Sequence, residues 1–209
     1  MTREWQIPTG QLGYAKTIAV YPRPYLFNAY HHLYHLRAYA AVNKSRSFSK
    51  LQTITLGHGN GVVSVWDGLS GQLIESWRAH DGPISQVLPV TAQLCLTASH
   101  DRSLVLWNRS DTVNFNNPSE HTPRQIKVFK GHRDPVLGCD LLGSDMLSIA
   151  GHRISCASFD SQESVIKLNR IKLHKTSTLK PNQLTTLTAL PLHQLALVGT
   201  EDGLIKLCN

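Results

Sequence analysis

A strand–turn–strand unit returns four times in this chain with nearly constant spacing, and that recurrence limits the fold more than any other feature. The copies read QTITLGHGNGVVSVWD, LCLTASHDRSLVLWN, MLSIAGHRISCASFD and LALVGTEDGLIKLCN. The first, second and fourth superpose without gaps around the turn, and the third fits with its turn shortened. Trp66 lies 41 residues before Trp107, and Cys208 lies 101 residues after it. Ahead of the later copies come another strand and its loop: QLIESWRAHDGPI, RQIKVFKGHRDPV and, more loosely, VIKLNRIKLHKTSTLKPNQL. His80 and His132 are 52 residues apart, the excess lying in the polar loop DTVNFNNPSEHTP. A period of about 40 to 45 residues with an Ala-His or Gly-His pair early and a Trp-Asn or Trp-Asp pair late marks one four-stranded antiparallel unit.

Such units bury both sheet faces against their neighbours, so their strands read as apolar runs with small residues between them. Ala98, Gly57 and Gly199 share one slot where close backbone approach is expected. The fold class is therefore all-β, a propeller of stacked blades. Sixteen candidate strands can be counted, starting with a fourth-type strand (REWQI) and ending with a third-type strand (LIKLC), which is four blades' worth. A seven-bladed ring at about 40 residues per blade needs roughly 280 residues, more than the 209 here. The alternatives are a four-bladed ring or the C-terminal part of a larger, seven-bladed propeller. The second is expected, because propellers of this repeat type usually have seven blades.

The chain divides into three stretches. Residues 1–22 carry the first strands of a blade, and residues 51–209 carry blades that end mid-blade. Residues 23–50 break the pattern: PYLFNAYHHLYHLRAYAAVNKSRSFSK is rich in Tyr and His with a basic tail. Leu26, Tyr30, Leu33 and Tyr34 recur at helical spacing. An insertion of this length is unusual in a compact domain, and a translated non-coding stretch is the alternative reading.

The polar signature of a blade has a stapling role. The indole N–H of Trp107 can donate to the Thr97 hydroxyl, which can meet His80, whose other ring nitrogen can donate to Asp101. A hydroxyl, a His and an Asp in line also describe a nucleophile triad. The staple is preferred because sister repeats have lost members: Leu56, Asn60 and Trp66 fill the Thr97, Asp101 and Trp107 slots in one copy, and Val198, Asp202 and Cys208 fill them in the last. Such decay suits a redundant stabilising network and not a catalytic one. His132, Trp66, Asp67 and Asp202 are the remaining blade signatures. His31, His32 and His35 offer metal-ligand spacing on a helix, but no acidic or Cys partner is near, so neither a metal nor a cofactor is expected. No phosphate-loop, dinucleotide or hydrolase-elbow motif occurs.

Four scattered cysteines (Cys95, Cys139, Cys156, Cys208) without a CxxC pair fit free thiols in a reducing, cytoplasmic setting. No run of about 18 apolar residues spans a bilayer. The net charge of +7 favours acidic partners, although the basic residues are spread along the chain. Arg102, Arg133 and Arg153 are expected at one rim of the propeller, with Asp81, Asp134, Glu201 and Asp202 between them. Arg offers bidentate donors to carboxylates and phosphates, so this rim is the candidate partner-binding surface.

The repeat resembles the WD-repeat family. Within it, SGQLIESWRAHDGPISQV, TASHDRSLVLWN, the Trp-less GHRISCAS and LTTLTALPLHQLALVGTEDGLIKL resemble the C-terminal propeller of BEACH-domain WD-repeat proteins. That resemblance implies a non-catalytic scaffold of membrane trafficking, linked to endosome maturation, phosphatidylinositol 3-kinase regulation and autophagy. It implies another WD-repeat protein and a lipid-kinase complex as partners, and a peripheral location on endosomal or lysosomal membranes. The alternative is a propeller that binds anionic surfaces, phosphoinositide membranes or RNA, with nucleic acid the less favoured.

Overall fold

The computed structural model describes residues 15–21, 53–68, 70–91, 93–109, 123–159, 162–171, 183–190 and 195–208. The REWQI strand and the 23–50 insertion with its three histidines lie outside the described residues. Among the described residues there are sixteen strands and no helix.

They form consecutive antiparallel sheets in chain order. The first holds β1 (Ala15–Tyr21), β2 (Thr53–His58), β3 (Val62–Asp67) and β4 (Leu73–Arg78). The second holds β5 (Ile84–Pro89), β6 (Leu94–Ser99), β7 (Leu104–Asn108) and β8 (Arg124–Lys130). The third holds β9 (Val136–Leu142), β10 (Asp145–Ala150) and β11 (Arg153–Ser158). The fourth holds β14 (Leu184–Leu190), β15 (Leu195–Thr200) and β16 (Ile205–Cys208). First strands pack side by side, β1 on β5, β5 on β9 and β9 on β14, which is the radial order of propeller blades.

One expected strand is two. The segment around VIKLNRI does not run as a single outer strand. β12 (Val165–Lys167) adds in parallel to β8, on the outer edge of the second blade, while β13 (Asn169–Ile171) pairs antiparallel with β11 in the third. The cause is local. Only Ile166 of β12 is buried, in the cluster between the second and third blades, while Val165 and Lys167 face outward. Backbone bonds from Val128 to Ser164 and from Leu168 to Lys130 hold the strap on β8. β12 thereby covers an edge that would otherwise present unpaired amides.

Three apolar clusters sit between blades, not inside them. Val63, Val65 and Trp77 of the first blade meet Ile84, Val87 and Trp107 of the second. Leu104, Leu106 and Phe129 meet Val136, Cys139 and Met146. Leu147, Ile149 and Ile154 meet Leu184, Leu187 and Val198. Each fully buried aliphatic side chain contributes roughly 1.5–3 kcal/mol, so the blades hold one another in place.

Polar links recur at the same interfaces. Gln86 Oε1 accepts the Cys139 N–H at 2.7 Å, and Asp140 Oδ2 accepts the Ala189 N–H at 2.9 Å. Near the outer edge, Arg109 donates to Glu75 of the preceding blade, and Lys127 donates to the Phe159 carbonyl of the following one. Glu75 and Lys127 fill one slot of the repeat, as do Arg109 and Phe159, so the latch is repeated with different chemistry.

Candidate functional site at the loop end

The loops preceding the first strand of each blade and the turns between second and third strands share one end. Gly61, in the β2–β3 turn, accepts backbone bonds from Ala79 and His80. Pro83 accepts from His100, Gly151 from Leu184, and Gln183 from Glu201. This backbone stitching fixes the loop carrying His80 between the turns at Gly61 and His100, and residues 183 and 184 between the turns at Gly151 and Glu201.

Under that rim lies the second blade's network. Trp107 Nε1 donates to Thr97 Oγ1 at 3.0 Å, and Thr97 Oγ1 lies 2.7 Å from His80 Nε2. His80 Nδ1 lies 2.8 Å from Asp101 Oδ2. Because an ionised carboxylate only accepts, a proton belongs on Nδ1, and the Thr97 hydroxyl lies between Nε2 and the Val105 carbonyl, to which it can donate at 3.3 Å. Trp107, Thr97, His80 and Asp101 thus form one continuous line of hydrogen bonds, an arrangement in which bonds polarise one another. Ser103 Oγ donates to the other Asp101 oxygen at 2.7 Å. Burial works to raise the Asp101 pKa, but the hydrogen bonds from His80 and Ser103 outweigh it and hold the carboxyl well below the usual carboxylate range.

The network has no reactive opening. The His80 side chain is 1% exposed, Thr97 is fully buried, and both ring nitrogens of His80 are occupied. A substrate carbonyl has no path to the Thr97 hydroxyl, so the arrangement stabilises and does not attack.

The other signatures fall into varied roles. His132 Nε2 meets Ser148 Oγ at 2.9 Å, the equivalent of the His80–Thr97 contact. Burial pushes His132 down to about 4, with nearby Arg153 lowering it further and Asp134 opposing. Asp67 caps the β3–β4 turn, its Oδ1 accepting the Ser70 N–H at 2.8 Å. Asp202 accepts from Thr200 Oγ1 and is exposed.

In the first blade the hydroxyl has moved. Trp66 Nε1 donates to Ser64 Oγ at 2.8 Å, and His58 Nε2 lies 2.7 Å from the same oxygen. Ser64 stands opposite Leu56, which fills the Thr97 slot. The staple is therefore rebuilt from the third strand, with His58 supplied by the end of the second. Sequence reasoning missed His58 and Ser64. The available signal was Ser64 two residues before Trp66, which puts both on one face of the strand.

Of the three rim arginines, Arg102 and Arg133 are exposed and Arg153 is half-buried. Among the described residues no ion pair engages their guanidinium groups, and Arg153 Nε is buried without a hydrogen-bond partner. Arg102 has φ 74, a left-handed conformation that Gly61 (φ 83) and Gly203 (φ 80) adopt in the same slot of sister turns. Of the charges expected between them, Asp81 and Glu201 are exposed and Asp134 folds over Gly151, where an added Cβ would meet its Oδ2 at 2.7 Å.

The family model described as "WD domain, G-beta repeat" matches residues 71–108, the blade built around this network. Protein GFS12 of Arabidopsis thaliana is 30% identical over 163 residues, 74% of this chain and 9% of that protein. WD repeat-containing protein 81 of Danio rerio is 26% identical over 158 residues, 75% of this chain and 7% of that protein. The chain therefore spans under a tenth of the length of these two relatives. Ribosome biogenesis protein YTM1 of Candida glabrata is 26% identical over 163 residues, 72% of this chain and 33% of that protein. Among solved structures, the computationally designed Ika4 protein superposes with a TM-score of 0.56 at 17% identity, covering 77% of this chain and 86% of that one. Repeat and blade order agree with these comparisons: the chain carries WD-type repeats folded as propeller blades, and it is similar to WD repeat-containing protein 81.

Proposed function

We propose that this chain is a non-catalytic interaction propeller of a membrane-trafficking scaffold, using its loop-end rim to hold a partner protein. The observation that carries this reading is a buried, fully satisfied staple whose Asp101 adjoins exposed Arg102, a guanidinium engaged in no ion pair among the described residues. WD-repeat proteins generally bind other proteins, and a rim fixed from below can present guanidinium groups to an acidic peptide with little ordering cost. The resemblance to BEACH-domain WD-repeat proteins supplies the setting: endosome maturation, phosphatidylinositol 3-kinase regulation and autophagy, on endosomal or lysosomal membranes, with another WD-repeat protein and a lipid-kinase complex as partners.

The test is affinity purification of the tagged protein from its own cells, compared with an Arg102→Glu, Arg133→Glu variant. Recovery of a WD-repeat protein and lipid-kinase subunits by the unsubstituted protein alone is expected. Equal recovery by both, or recovery of neither partner, would overturn the reading.

A second reading, an anion-surface binder, draws on the net charge of +7 and on the likeness to a protein named for ribosome biogenesis. It predicts salt-sensitive binding to phosphoinositide vesicles or RNA. Binding that ignores salt removes it.

A further inference from the structure

The second and third blades hold their staples in the same register, and one member differs. Thr97 and Ser148 fill one slot, opposite Val105 and Ser155 of the third strand, and each is bonded to the His of the preceding loop. Leu104 therefore matches Ile154, and the residues before them, Ser103 and Arg153, match as well. In the second blade Asp101 is held from two sides. His80 Nδ1 lies 2.8 Å from one carboxylate oxygen, and Ser103 Oγ donates to the other at 2.7 Å. Ser103 Oγ is also 3.3 Å from His80 Nδ1, so a side chain in this slot is aimed at that ring nitrogen. In the third blade the turn shortens from His100, Asp101 and Arg102 to Gly151 and His152, and no carboxylate remains in it.

The groups that would hold one are kept. His132 Nε2 meets Ser148, and among the described residues its Nδ1 has no partner. Arg153 brings a guanidinium where Ser103 brings a hydroxyl, and its Nε is buried without a hydrogen-bond partner. Burial, then Arg153, lowers the His132 pKa and Asp134 raises it, so these three groups are neighbours. Asp134 fills the slot of Gly82, with its Oδ2 2.7 Å from where a Gly151 Cβ would stand. Among the described residues no hydrogen bond or ion pair joins it to His132 or Arg153. The sequence leading into Gln183, KLHKTSTLKPN, contains no Asp or Glu. A dry guanidinium nitrogen without an acceptor costs free energy, which a ligand that supplies the acceptor recovers.

We infer that the third-blade staple is completed by an Asp or Glu side chain of a partner protein, held by Arg153 and His132 as Asp101 is held by Ser103 and His80. A carboxylate has two oxygens for the two groups, one for the Arg153 guanidinium and one for the His132 ring. The neutral ring meets it by carrying its proton on Nδ1 and taking the Ser148 hydroxyl at Nε2. A carboxylate fits better than a phosphate, because Asp134 beside the turn repels a dianion more strongly than a monoanion. The inference rests on the reading of the rim as the partner-facing end, and it adds what is recognised there and by which groups.

Imidazole NMR on the full chain tests this with a Gly-Asp-Gly peptide blocked at both ends, whose only charge is the Asp side chain. Saturable shifts of the His132 ring signals are expected, and the His132 titration, at about 4 in the free protein, should move up in the complex. Arg153→Gln should weaken the peptide about tenfold. Arg153→Lys keeps the charge without the fork, guards against a folding defect in the first variant, and should weaken it about threefold. Asp134→Asn should tighten it about threefold by removing a like charge. The Gly-Asn-Gly peptide should leave the ring unmoved. An equal response to the Asn peptide, or an Asp affinity unchanged in both Arg153 variants, overturns the inference. So does a phosphoserine peptide that binds about tenfold tighter than the Asp peptide. Partner recovery separates this site from the rim reading. Recovery lost with Arg102→Glu, Arg133→Glu but kept in full with Arg153→Gln overturns this site alone. Peptide binding at His132 with no partner recovered overturns the rim reading and leaves the site in place.

Discussion

Gln86 Oε1 reaches from β5 to the backbone N–H of Cys139 on β9, 2.7 Å away, and the glycine beside that amide leaves room for it. A Cβ on Gly138 would stand 3.3 Å from the same oxygen and 3.5 Å from Ile149. The neighbouring residue of β9 extends the pattern, with Asp140 capping the Ala189 amide of the fourth blade. Side chains of inner strands thus fasten backbone amides across blade boundaries, where apolar packing alone would allow sliding. Gln86→Ala leaves the Cys139 amide without that acceptor and should lower stability by about 1–2 kcal/mol. Gly138→Ala should cost less, about 1 kcal/mol, because the amide end of Gln86 can give way. Urea denaturation of both variants checks the order.

Thr97 carries more, since its hydroxyl serves Trp107 and His80 together. Thr97→Val keeps the shape and strands an indole N–H and an imidazole nitrogen in a dry interior. A loss of about 2–3 kcal/mol is expected. Combined with Trp107→Phe, the loss should fall well short of additive, because one bond is shared by both changes. A double-mutant cycle by equilibrium denaturation measures the coupling, and additive losses would show that the hydroxyl and indole act separately.

How much of this was legible in the sequence follows from what repeats. The pairs β2–β3, β6–β7, β10–β11 and β15–β16 stand out because each carries the same strand, turn and strand at one spacing. The Trp107, Thr97, His80 and Asp101 chemistry follows from the same register. Links between blades were not legible. Glu75 and Arg109, or Gln86 and Cys139, lie in different repeats and carry chemistry that changes from one interface to the next. The displaced staple of His58 and Ser64 escaped because slot-by-slot comparison looks for a hydroxyl on the second strand, and here it stands across the pair on the third. The division of VIKLNRI into β12 and β13 depends on the outer edge of β8 being open, which is a property of the assembled sheets.

Arg102 holds a left-handed backbone conformation that its sister turns assign to glycine. A side chain there costs of the order of 1 kcal/mol, partly offset because glycine loses more freedom on folding. Arg102→Gly should therefore leave stability unchanged or raise it by up to about 1 kcal/mol. Arg102→Ala keeps the conformational cost and should not gain. If the rim holds a partner, Arg102→Gly should also weaken its recovery, which separates a residue kept for binding from one kept for folding. Thermal denaturation and partner recovery on the same two variants supply both readings.

His132 gives the fold a pH slope that can be assigned to one ring. Its pKa falls from 6.5 to about 4 in the folded protein, first because burial disfavours the charged imidazolium and second because Arg153 repels it, with Asp134 opposing. Between those two values the unfolded chain binds a proton that the folded chain does not, so stability rises with pH across this window and is lost on acidification through it. The ring is partly open to solvent, so the loss from above 6.5 to about 4 should be on the order of 1–2 kcal/mol after screening. Asp101 acts in a lower range: its depressed carboxyl stabilises above the unfolded value of 3.8 and loses that contribution only as pH falls below it. His132→Asn can still bond to Ser148 but cannot titrate, so it should flatten the slope between about 4 and 6.5 and leave the steeper fall below it in place. Denaturation midpoints of the two proteins, measured at half-unit pH steps, separate the contributions; an unchanged slope in the variant would assign it to other groups.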